Sequence, residues 1–273
     1  MAHAVGMEPI GLIAGRGDYP LEWIEAARRA GAGRIVACAF EGETDPAIAG
    51  AADDVAWMRV GQLGRLIGHL KGSGVNRAVM AGQICPKNLF DLRPDLKALV
   101  LLARLSERNA ETLFGAIAGE LAAAGVELAP ATTFLEDRLP GPGWKVGPRP
   151  KARLLREAGY GFRVAKEVSR LDIGQAVVVK NGTVLAVEAF EGTNDMMRRG
   201  GALGRGGAVA VKVSKPGQDL RFDVPVVGPR TLEVAAESGI ALVAVEARKT
   251  LLLRMETLTE LASRLRVTLV AIG

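Results

Sequence analysis

The short charged stretch Asp219-Leu220-Arg221-Phe222-Asp223 gathers residue types that could act on phosphates, and Lys212 and Lys215 lie just upstream. Carboxylates can hold a hard cation, whereas arginine and lysine bind phosphate oxygens. The same pattern is also typical of an exposed strand end with alternating charges. The charges alone therefore leave both interpretations open.

The scarcity of histidine narrows the chemistry. The chain has only two histidines, His3 and His69. This number argues against a Ser-His-Asp triad, a Cys-His pair or a histidine-rich zinc site. Any hydrolysis must therefore depend on carboxylates, lysine, arginine and a divalent ion that prefers oxygen ligands, Mg²⁺ or alternatively Mn²⁺.

Composition sets wider bounds. The chain has 273 residues, 49% of them hydrophobic, and a net charge of +5, which fits two domains or one large one with a sizeable core. The charge suits anionic ligands, but the basic residues are scattered and no nucleic-acid partner is predicted. No apolar run approaches the roughly 20 residues that span a bilayer, and no signal-peptide pattern is present. Cys38 and Cys85 lack metal-type spacing and are interpreted as core thiols of a cytoplasmic protein.

Strands and helices alternate through the first part of the chain. We predict strands at residues 10–14, 34–40, 75–81 and 126–129, and helices at about 18–30, 61–71, 95–106 and 110–124. Such alternation predicts an α/β fold with a parallel sheet and helices on its faces.

Proline and glycine become dense at residues 137–151, which predicts a linker between an N-terminal domain at 1–136 and a C-terminal domain at 152–273. Asn181-Gly182 between two apolar runs is a strong hairpin signal. We predict strands at 176–180, 183–189, 208–213, 241–246 and 267–272, and helices at 152–170, 231–238 and 256–264. These elements indicate a distinct, mixed α/β domain.

Two glycine-containing turns could face one ligand. Gly15 and Gly17 follow the first strand and open a helix, where backbone N–H groups can approach a phosphate. Gly82 and Gln83 end the third predicted strand and should reach the same crevice, because ligands bind beyond the carboxyl ends of parallel strands. A simple tight turn and a solvated loop remain the alternatives.

Polar residues also flank the predicted hairpin. Asp172 and Gln175 precede it, and Glu191, Gly192 and Thr193 follow it, so the two groups could meet at one rim. Asp172 as a turn residue and Thr193 as a helix N-cap are the alternative, structural roles.

At this point the sequence resembles LpxI-type UDP-2,3-diacylglucosamine hydrolases nearly from end to end. The matching motifs are Gly11-Leu12-Ile13-Ala14-Gly15-x-Gly17-x-x-Pro20, Gly82-Gln83 before Pro86, Leu92-Arg93-Pro94-Asp95, Leu171-Asp172-Ile173-Gly174-Gln175-Ala176-Val177-Val178, Leu185-Ala186-Val187-Glu188-Ala189-x-Glu191-Gly192-Thr193 and Arg221-Phe222-Asp223-Val224-Pro225-x-x-Gly228. The later motifs are long and specific, whereas the first is not.

The resemblance implies a Rossmann-like N-terminal domain, a distinct C-terminal domain and substrate between them. It implies cleavage of the pyrophosphate of UDP-2,3-diacylglucosamine in lipid A biosynthesis. Water would attack the α-phosphorus, and the products would be UMP and 2,3-diacylglucosamine 1-phosphate. It further implies a divalent cation, usually Mg²⁺, and makes Asp223 the critical carboxylate. Transient contact with the inner membrane surface follows from the lipid substrate, and a homodimer is kept open.

On this hypothesis Asp223 and Asp219 bind the cation, while Lys212 and Arg221 stabilise pyrophosphate oxygens. The remaining candidates bind substrate: Gly15, Gly17, Gly82 and Gln83 on the nucleotide or phosphate side, and Asp172, Gln175, Glu191, Gly192 and Thr193 on the opposite wall.

The sequence departs from the family pattern in two places. Residues 108–114 lack the usual acidic run, with only Glu111 as a substitute, and Asn194 stands where the family has Asp. Two other functions stay open. The strand–glycine–helix start with Glu41 or Glu43 as a ribose-binding acid would suit a NAD-dependent oxidoreductase. A non-catalytic regulator that binds a nucleotide-sugar or lipid is the third possibility.

Overall fold

A computed structural model describes residues 8–84, 94–105 and 110–273. The chain divides into two compact units. The first comprises the residues up to Leu135 together with Asp219–Asp223, and the second comprises Glu136–Gln218 and Val224–Gly273. The segment Asp219–Asp223 is therefore part of the first unit although it lies far along the sequence.

A five-stranded parallel sheet forms the centre of the first unit. Its strands are β1 (Ile10–Ala14), β2 (Ile35–Phe40), β3 (Asp54–Met58), β4 (Arg77–Ala81) and β5 (Glu127–Leu128). Their order is β3-β2-β1-β4-β5, and all the pairs are parallel. The order reverses between β1 and β4, which is the switch point where doubly wound sheets bind ligands. The predicted Rossmann-like parallel sheet is confirmed.

Helices of the first unit contribute to its core. They are α1 (Tyr19–Arg29), α2 (Ile48–Ala51), α3 (Leu63–Gly72), α4 (Leu96–Arg104) and α5 (Ala110–Ala123). Pro20 lies in the first turn of α1, where its missing N–H costs nothing. Every residue of β1 and β2 is buried, as expected for strands covered on both faces.

The second unit contains a six-stranded mixed sheet. In chain order its elements are a 3-10 turn (Glu136–Arg138), β6 (Lys145–Val146), α6 (Ala152–Arg170), β7 (Ala176–Lys180), β8 (Thr183–Val187), α7 (Thr193–Gly204), β9 (Ala208–Lys212), β10 (Val226–Val227), α8 (Pro229–Glu237), β11 (Ile240–Glu246), β12 (Leu251–Leu252), α9 (Met255–Arg264) and β13 (Thr268–Ile272). The order is β6-β13-β11-β9-β7-β8, while β10 and β12 form a separate parallel pair.

Alternating side chains divide the second core into two layers. Val177 and Val179 of β7 belong to the cluster that includes residues of α6, whereas Val178 belongs to the cluster that includes residues of α7 and α8. This alternation follows from the two-residue period of a strand. The strands β9, β11 and β13 are mutually parallel, and β7 runs antiparallel to both β8 and β9.

The structure differs from the predicted domain layout in two respects. Residues 137–151 were predicted to be a linker, but Lys145–Val146 pairs with β13 inside the second unit. Asp219–Asp223 was assigned to the C-terminal domain, but it groups with the first unit. A two-residue edge strand and a long-range excursion both depend on contacts between distant parts of the chain, which local composition does not encode.

Candidate active site

The two glycine turns of the first unit lie directly against each other. The Gly15 N–H donates to Ala81 O at 2.8 Å, and Arg16 and Gln83 exchange backbone hydrogen bonds of 2.7 and 3.2 Å. A Cβ on Gly15 would lie 2.8 Å from Gln83 N, and one on Gly82, whose φ is +94°, would lie 2.8 Å from Arg16 O. Only glycine fits at these two positions. The prediction that the two turns lie close together is confirmed.

Arg16 is a functional candidate that the sequence reasoning missed. Its Nε lies 3.2 Å from the Glu43 carboxylate, which is fully buried, while the Arg16 side chain is 54% exposed. The loop after β2 is fixed nearby, because Thr44 Oγ1 donates to Ala14 O at 2.5 Å and accepts the Phe40 N–H at 2.8 Å. Glu43 therefore holds the Arg16 guanidinium beside the glycine turn. A ribose-binding role for Glu43 would compete with this ion pair, and Glu41 pairs with Arg59 at 3.5 Å.

The Asp219–Asp223 turn is bonded to the same unit. The Ala131 N–H donates to Leu220 O at 2.7 Å, and the Tyr19 hydroxyl donates to Ala131 O at 2.5 Å. Tyr19 begins α1, two residues after Gly17. Burial raises the pKa of Tyr19 well above its usual range, so the hydroxyl keeps the proton that it donates. These bonds connect the charged turn to the helix that the glycine turn opens.

An aromatic contact secures the other end of this turn. The Phe222 ring stacks on Phe114 with the ring centroids 5.7 Å apart, and Phe222 packs against the core of the first unit. Burial of an aromatic ring is a strong anchor for a loop. The turn is therefore a fixed part of the first unit, and the alternative of an exposed strand end is wrong.

Asp219 and Arg221 form a local ion pair. Arg221 Nε lies 3.0 and 3.1 Å from the two Asp219 oxygens, Arg221 Nη2 lies 2.6 Å from Oδ2, and the Arg221 N–H donates to Oδ1 at 3.0 Å. The hydrogen bonds from Arg221 lower the pKa of Asp219, and those to Asp219 raise the pKa of Arg221. Both carboxylate oxygens of Asp219 are therefore engaged by Arg221, and its predicted role as a metal ligand stays a prediction.

Asp223 closes the turn, since its N–H donates to Asp219 O at 3.0 Å. Within residues 8–84, 94–105 and 110–273, no group of three His, Cys, Asp or Glu side chains is placed to hold a metal ion. Mg²⁺ commonly keeps several waters and binds through one or two carboxylates plus substrate phosphates. The described residues therefore supply no acidic cage, and a cation there would need water or phosphate ligands besides a carboxylate such as Asp223.

An open groove of about 580 Å³ in the first unit includes Arg221 of the charged turn. Its lining residues are Asn76, Arg77, Ala118, Ala122, Gly125, Glu127, Leu128 and Arg221. Among these lining residues only Arg221 is a predicted site residue. The groove adjoins the first residues of β4 and β5. The chemistry favours the opposite, carboxyl edge of the sheet, where Gly15 and Gly82 lie.

The two polar loops of the second unit meet around Glu188, which belongs to the segment predicted to reach this rim but has no predicted role of its own. Its carboxylate accepts the Gln175 N–H at 3.2 Å and the Thr193 hydroxyl at 2.6 Å. Glu188 is almost fully buried, and Gly174 lies against its backbone. The predicted meeting of these loops at one rim is confirmed. Thr193 is the first residue of α7, and Gly192 is the N-cap.

Charged pairs surround this rim. Asp172 has a φ of +54° and forms an ion pair with Lys215. Glu191 accepts a hydrogen bond of 2.5 Å from Arg199, which lowers the pKa of Glu191. Lys212, predicted to stabilise phosphates, donates to Val226 O at 3.1 Å within the second unit.

A further network fixes the loop that follows β9. Lys166 Nζ lies 3.1 Å from both Glu246 oxygens and 2.8 Å from Ser214 O. The Ser214 N–H and hydroxyl donate to Glu246 at 2.8 and 2.9 Å. Lys215 directly follows Ser214, so the backbone that leads into Lys215 is held by this network. No sequence signal identified this network, because its members lie on three distant elements.

The remaining predicted residues are placed as follows. Glu111 lies in the first turn of α5, and Asn194 lies in α7, where Asp195 pairs with Arg198 at 2.5 Å. Cys38 is buried, and desolvation raises its pKa to about 12, which confirms a core thiol. Asn109, Cys85, Pro86, Leu92 and Arg93 lie outside the described residues. No helix in the described part of the chain is long and apolar enough to cross a membrane.

The fold and these residues define a two-unit α/β protein, with two glycine turns packed beside Arg16 in one unit and a group of charged residues around Glu188 in the other. Comparison with known proteins identifies the family within this class. Residues 9–138 match the model of the LpxI N-terminal domain, and residues 142–270 match that of the LpxI C-terminal domain. The UDP-2,3-diacylglucosamine pyrophosphatase LpxI of Caulobacter vibrioides is 33% identical over 276 residues, covering 95% of each chain. The chain belongs to the LpxI family.

Proposed function

We propose that this chain is a UDP-2,3-diacylglucosamine pyrophosphatase of lipid A biosynthesis, which releases UMP and 2,3-diacylglucosamine 1-phosphate. The observation that carries the proposal is the similarity to a relative of that name over 95% of both chains. The described residues support it, because the turns of the first unit offer backbone N–H groups and the Arg16 cation to a diphosphate.

The first unit would bind the phosphate and nucleotide side. Gly15 and Gly82 hold the two loops together at the carboxyl edge of the sheet, and the N–H groups at the start of α1 beside them would bind a phosphate. Arg16, held by the buried Glu43, adds an exposed positive charge at the same turn. Such fixed charge stabilises the oxygens of a diphosphate in the transition state.

Asp223 is the proposed catalytic carboxylate. It would hold Mg²⁺, or Mn²⁺, together with substrate phosphate oxygens, and it would orient the water that attacks the α-phosphorus. The cation would lower the pKa of a bound water and neutralise charge on the phosphoryl group. Asp219 would act through Arg221, since their ion pair holds the backbone turn that presents Asp223.

The second unit would bind the sugar and its substituents. Glu188 fixes Gln175 and Thr193 at one rim, and the pair Asp172–Lys215 lies on the loops beside them. Hydroxyl, amide and carboxylate groups are typical partners of a sugar. Lys212 remains a proposed phosphate-binding residue.

The decisive experiment replaces Asp223 with Asn in the full-length chain. UMP release from UDP-2,3-diacylglucosamine with Mg²⁺ should fall by about a hundredfold or more. Asp195→Asn is the matched control, since it makes the same change at an exposed carboxylate and should leave the rate unaltered. Wild-type turnover in the Asp223→Asn enzyme would remove Asp223 from the mechanism.

Isotope labelling tests the point of attack. In ¹⁸O water the label should enter UMP, and label in the sugar phosphate would mean attack on the other phosphorus. Tight NAD binding without UMP release would instead favour the oxidoreductase, and substrate binding without turnover at any metal concentration would favour a regulator.

An exposed helix face supports the proposed contact with the membrane surface. Leu96, Leu99 and Val100 are exposed on one side of α4, whereas Ala98 and Leu101 are buried. The spacing i, i+3, i+4 places the exposed residues on one stripe. Basic Lys97 and Arg104 lie on the same helix, and apolar residues with cations are typical of helices that lie at a bilayer surface.

A further inference from the structure

Three large apolar side chains project from the two loops that meet at Glu188. Leu171 is 61% exposed, Ile173 is 49% exposed and Phe190 is 83% exposed. Ile173 precedes Gly174, which lies against the Glu188 backbone, and Phe190 is two residues beyond Glu188. The three side chains therefore belong to one small region of the second unit, which we call the apolar rim.

Polar residues alternate with the apolar rim. Asp172 separates Leu171 from Ile173, and its ion pair with Lys215 directs its side chain towards the loop after β9. Glu191 follows Phe190 and is held by Arg199 at 2.5 Å. A single exposed apolar residue is ordinary on a protein surface, whereas several in one region beside polar residues are typical of surfaces that bind a partner or ligand.

The surrounding structure keeps these side chains outside the core. Gln175 and Thr193 are both bonded to Glu188, so the loops cannot easily fold inwards to bury Ile173 or Phe190. Leu171 ends α6, and its N–H donates to Glu167 O and Val168 O at 3.3 and 3.2 Å. The exposure of the rim is therefore built into its backbone, and the rim is available to a ligand.

We propose that Leu171, Ile173 and Phe190 bind the acyl chains of the substrate, an inference that rests on the proposed function. The proposed substrate is an amphiphile, with a charged diphosphate and sugar at one end and two acyl chains at the other. The rim is amphiphilic in the same way, because apolar side chains lie within two residues of Asp172 and Glu188. Contact with an acyl chain would remove apolar surface of both partners from water.

The experiment compares the double variant Ile173→Ser/Phe190→Ser with Leu155→Ser/Leu203→Ser. The control pair is also exposed, at 41% and 62%, but lies on α6 and α7. Substrates with acyl chains of different lengths are presented in detergent micelles, and UMP release is measured. The rim variant should raise KM about tenfold for the long-chain substrate with little change in kcat, and its dependence on chain length should flatten. The control should behave as wild type.

Two results would overturn the inference. One is a rim variant that keeps the wild-type KM and the wild-type dependence on chain length. The other is a defect that appears with substrate in phospholipid vesicles but not in micelles, because the rim would then contact the bilayer and not the substrate.

A binding measurement separates this inference from the proposed function. The emission of Phe190→Trp, after subtraction of the wild-type signal, should shift to shorter wavelength with 2,3-diacylglucosamine 1-phosphate and not with glucosamine 1-phosphate. If no UMP is released by the wild type, the proposed function fails, yet this shift would still establish acyl binding at the rim. Absence of the shift would count against the rim whatever the activity.

Discussion

The carboxyl edges of the two sheets are built in opposite ways. In the first unit, Gly15 and Gly82 bring backbone against backbone, and Arg16 is the charged side chain at the turn. In the second unit, side chains make the contacts, as Glu188 and Glu246 each accept hydrogen bonds from two or more groups. One edge depends on the absence of side chains and the other on their charge.

The two kinds of edge suit different ligand groups. A diphosphate presents similar oxygens in several directions, and closely spaced N–H groups can bind it without specific side chains. An acylated sugar has distinct polar and apolar faces, which require different side chains at fixed positions. Substitutions should therefore act by steric exclusion in the first unit and by loss of hydrogen bonds in the second.

Gly82→Ala should have the largest effect on stability. The new Cβ would lie 2.8 Å from Arg16 O at a φ of +94°, so overpacking and backbone strain add to about 3 kcal/mol. Hydrogen exchange measured by mass spectrometry should show faster exchange in peptides of β1 and β4, with the second unit unchanged.

Gly17→Ala is the matched control for steric exclusion. Gly17 has a φ of +91°, but a Cβ there would meet no atom within 4 Å. Only the conformational cost, about 1 kcal/mol, should remain. Equal exchange in the two variants would mean that the close approach of the loops contributes nothing.

Much of this architecture is predictable from the sequence. The predicted helix at residues 152–170 matches α6, and the predicted hairpin strand at 176–180 matches β7, since strong apolar periodicity and Asn181-Gly182 are local signals. β3 was missed because most of its residues are only partly buried, and β10 and β12 were missed because they are two residues long.

The sequence predicts which candidate residues come together, but not the contacts that hold them. Gly15, Gly82, Gln175 and Thr193 were selected, and the structure brings each to the expected edge. The contacts that hold the Asp219–Asp223 turn and the loop after β9 are not predictable, because Tyr19 and Ala131 are 112 residues apart and Lys166 and Glu246 are 80 apart. Such pairs depend on the tertiary fold, which a single sequence does not specify locally.

Glu188→Ala tests the second edge and should have an intermediate effect. The Gln175 N–H and the Thr193 hydroxyl would lose their acceptor in a nearly buried position, which costs about 2 kcal/mol. Peptides covering residues 171–176 and 188–196 should exchange faster, while peptides of the first unit should not.

Two variants sharpen this result. Glu188→Gln keeps one acceptor oxygen and should recover part of the lost protection. Glu191→Ala removes a more exposed carboxylate that is paired with Arg199 and should cost less than about 1 kcal/mol. If Glu191→Ala speeds exchange in the peptides covering residues 171–176 and 188–196 as much as Glu188→Ala does, Glu188 is not the residue that holds these two loops together.

The smallest expected effect is the contribution of one ion pair in each unit to the stability of the fold. The pH dependence of stability allows the two pairs to be compared. Arg221 lowers the pKa of Asp219 in the first unit, and Arg199 lowers that of Glu191 in the second. A carboxylate with a depressed folded-state pKa contributes stability above its unfolded-state pKa, about 4, and loses it as the pH falls through the folded-state value. Because the side chains are partly exposed, each contribution should stay below about 1 kcal/mol.

Carboxyl NMR titration of selected variants checks both directions. Arg221→Gln should raise the pKa of Asp219 without moving that of Glu191, and Arg199→Gln should do the reverse. The stability of the Arg221→Gln protein should fall below that of the wild type near neutral pH and approach it at acid pH, where Asp219 is protonated in both. An Asp219 pKa that is the same with and without Arg221 would show that the pair does not hold the turn, and Asp223 would then need another support.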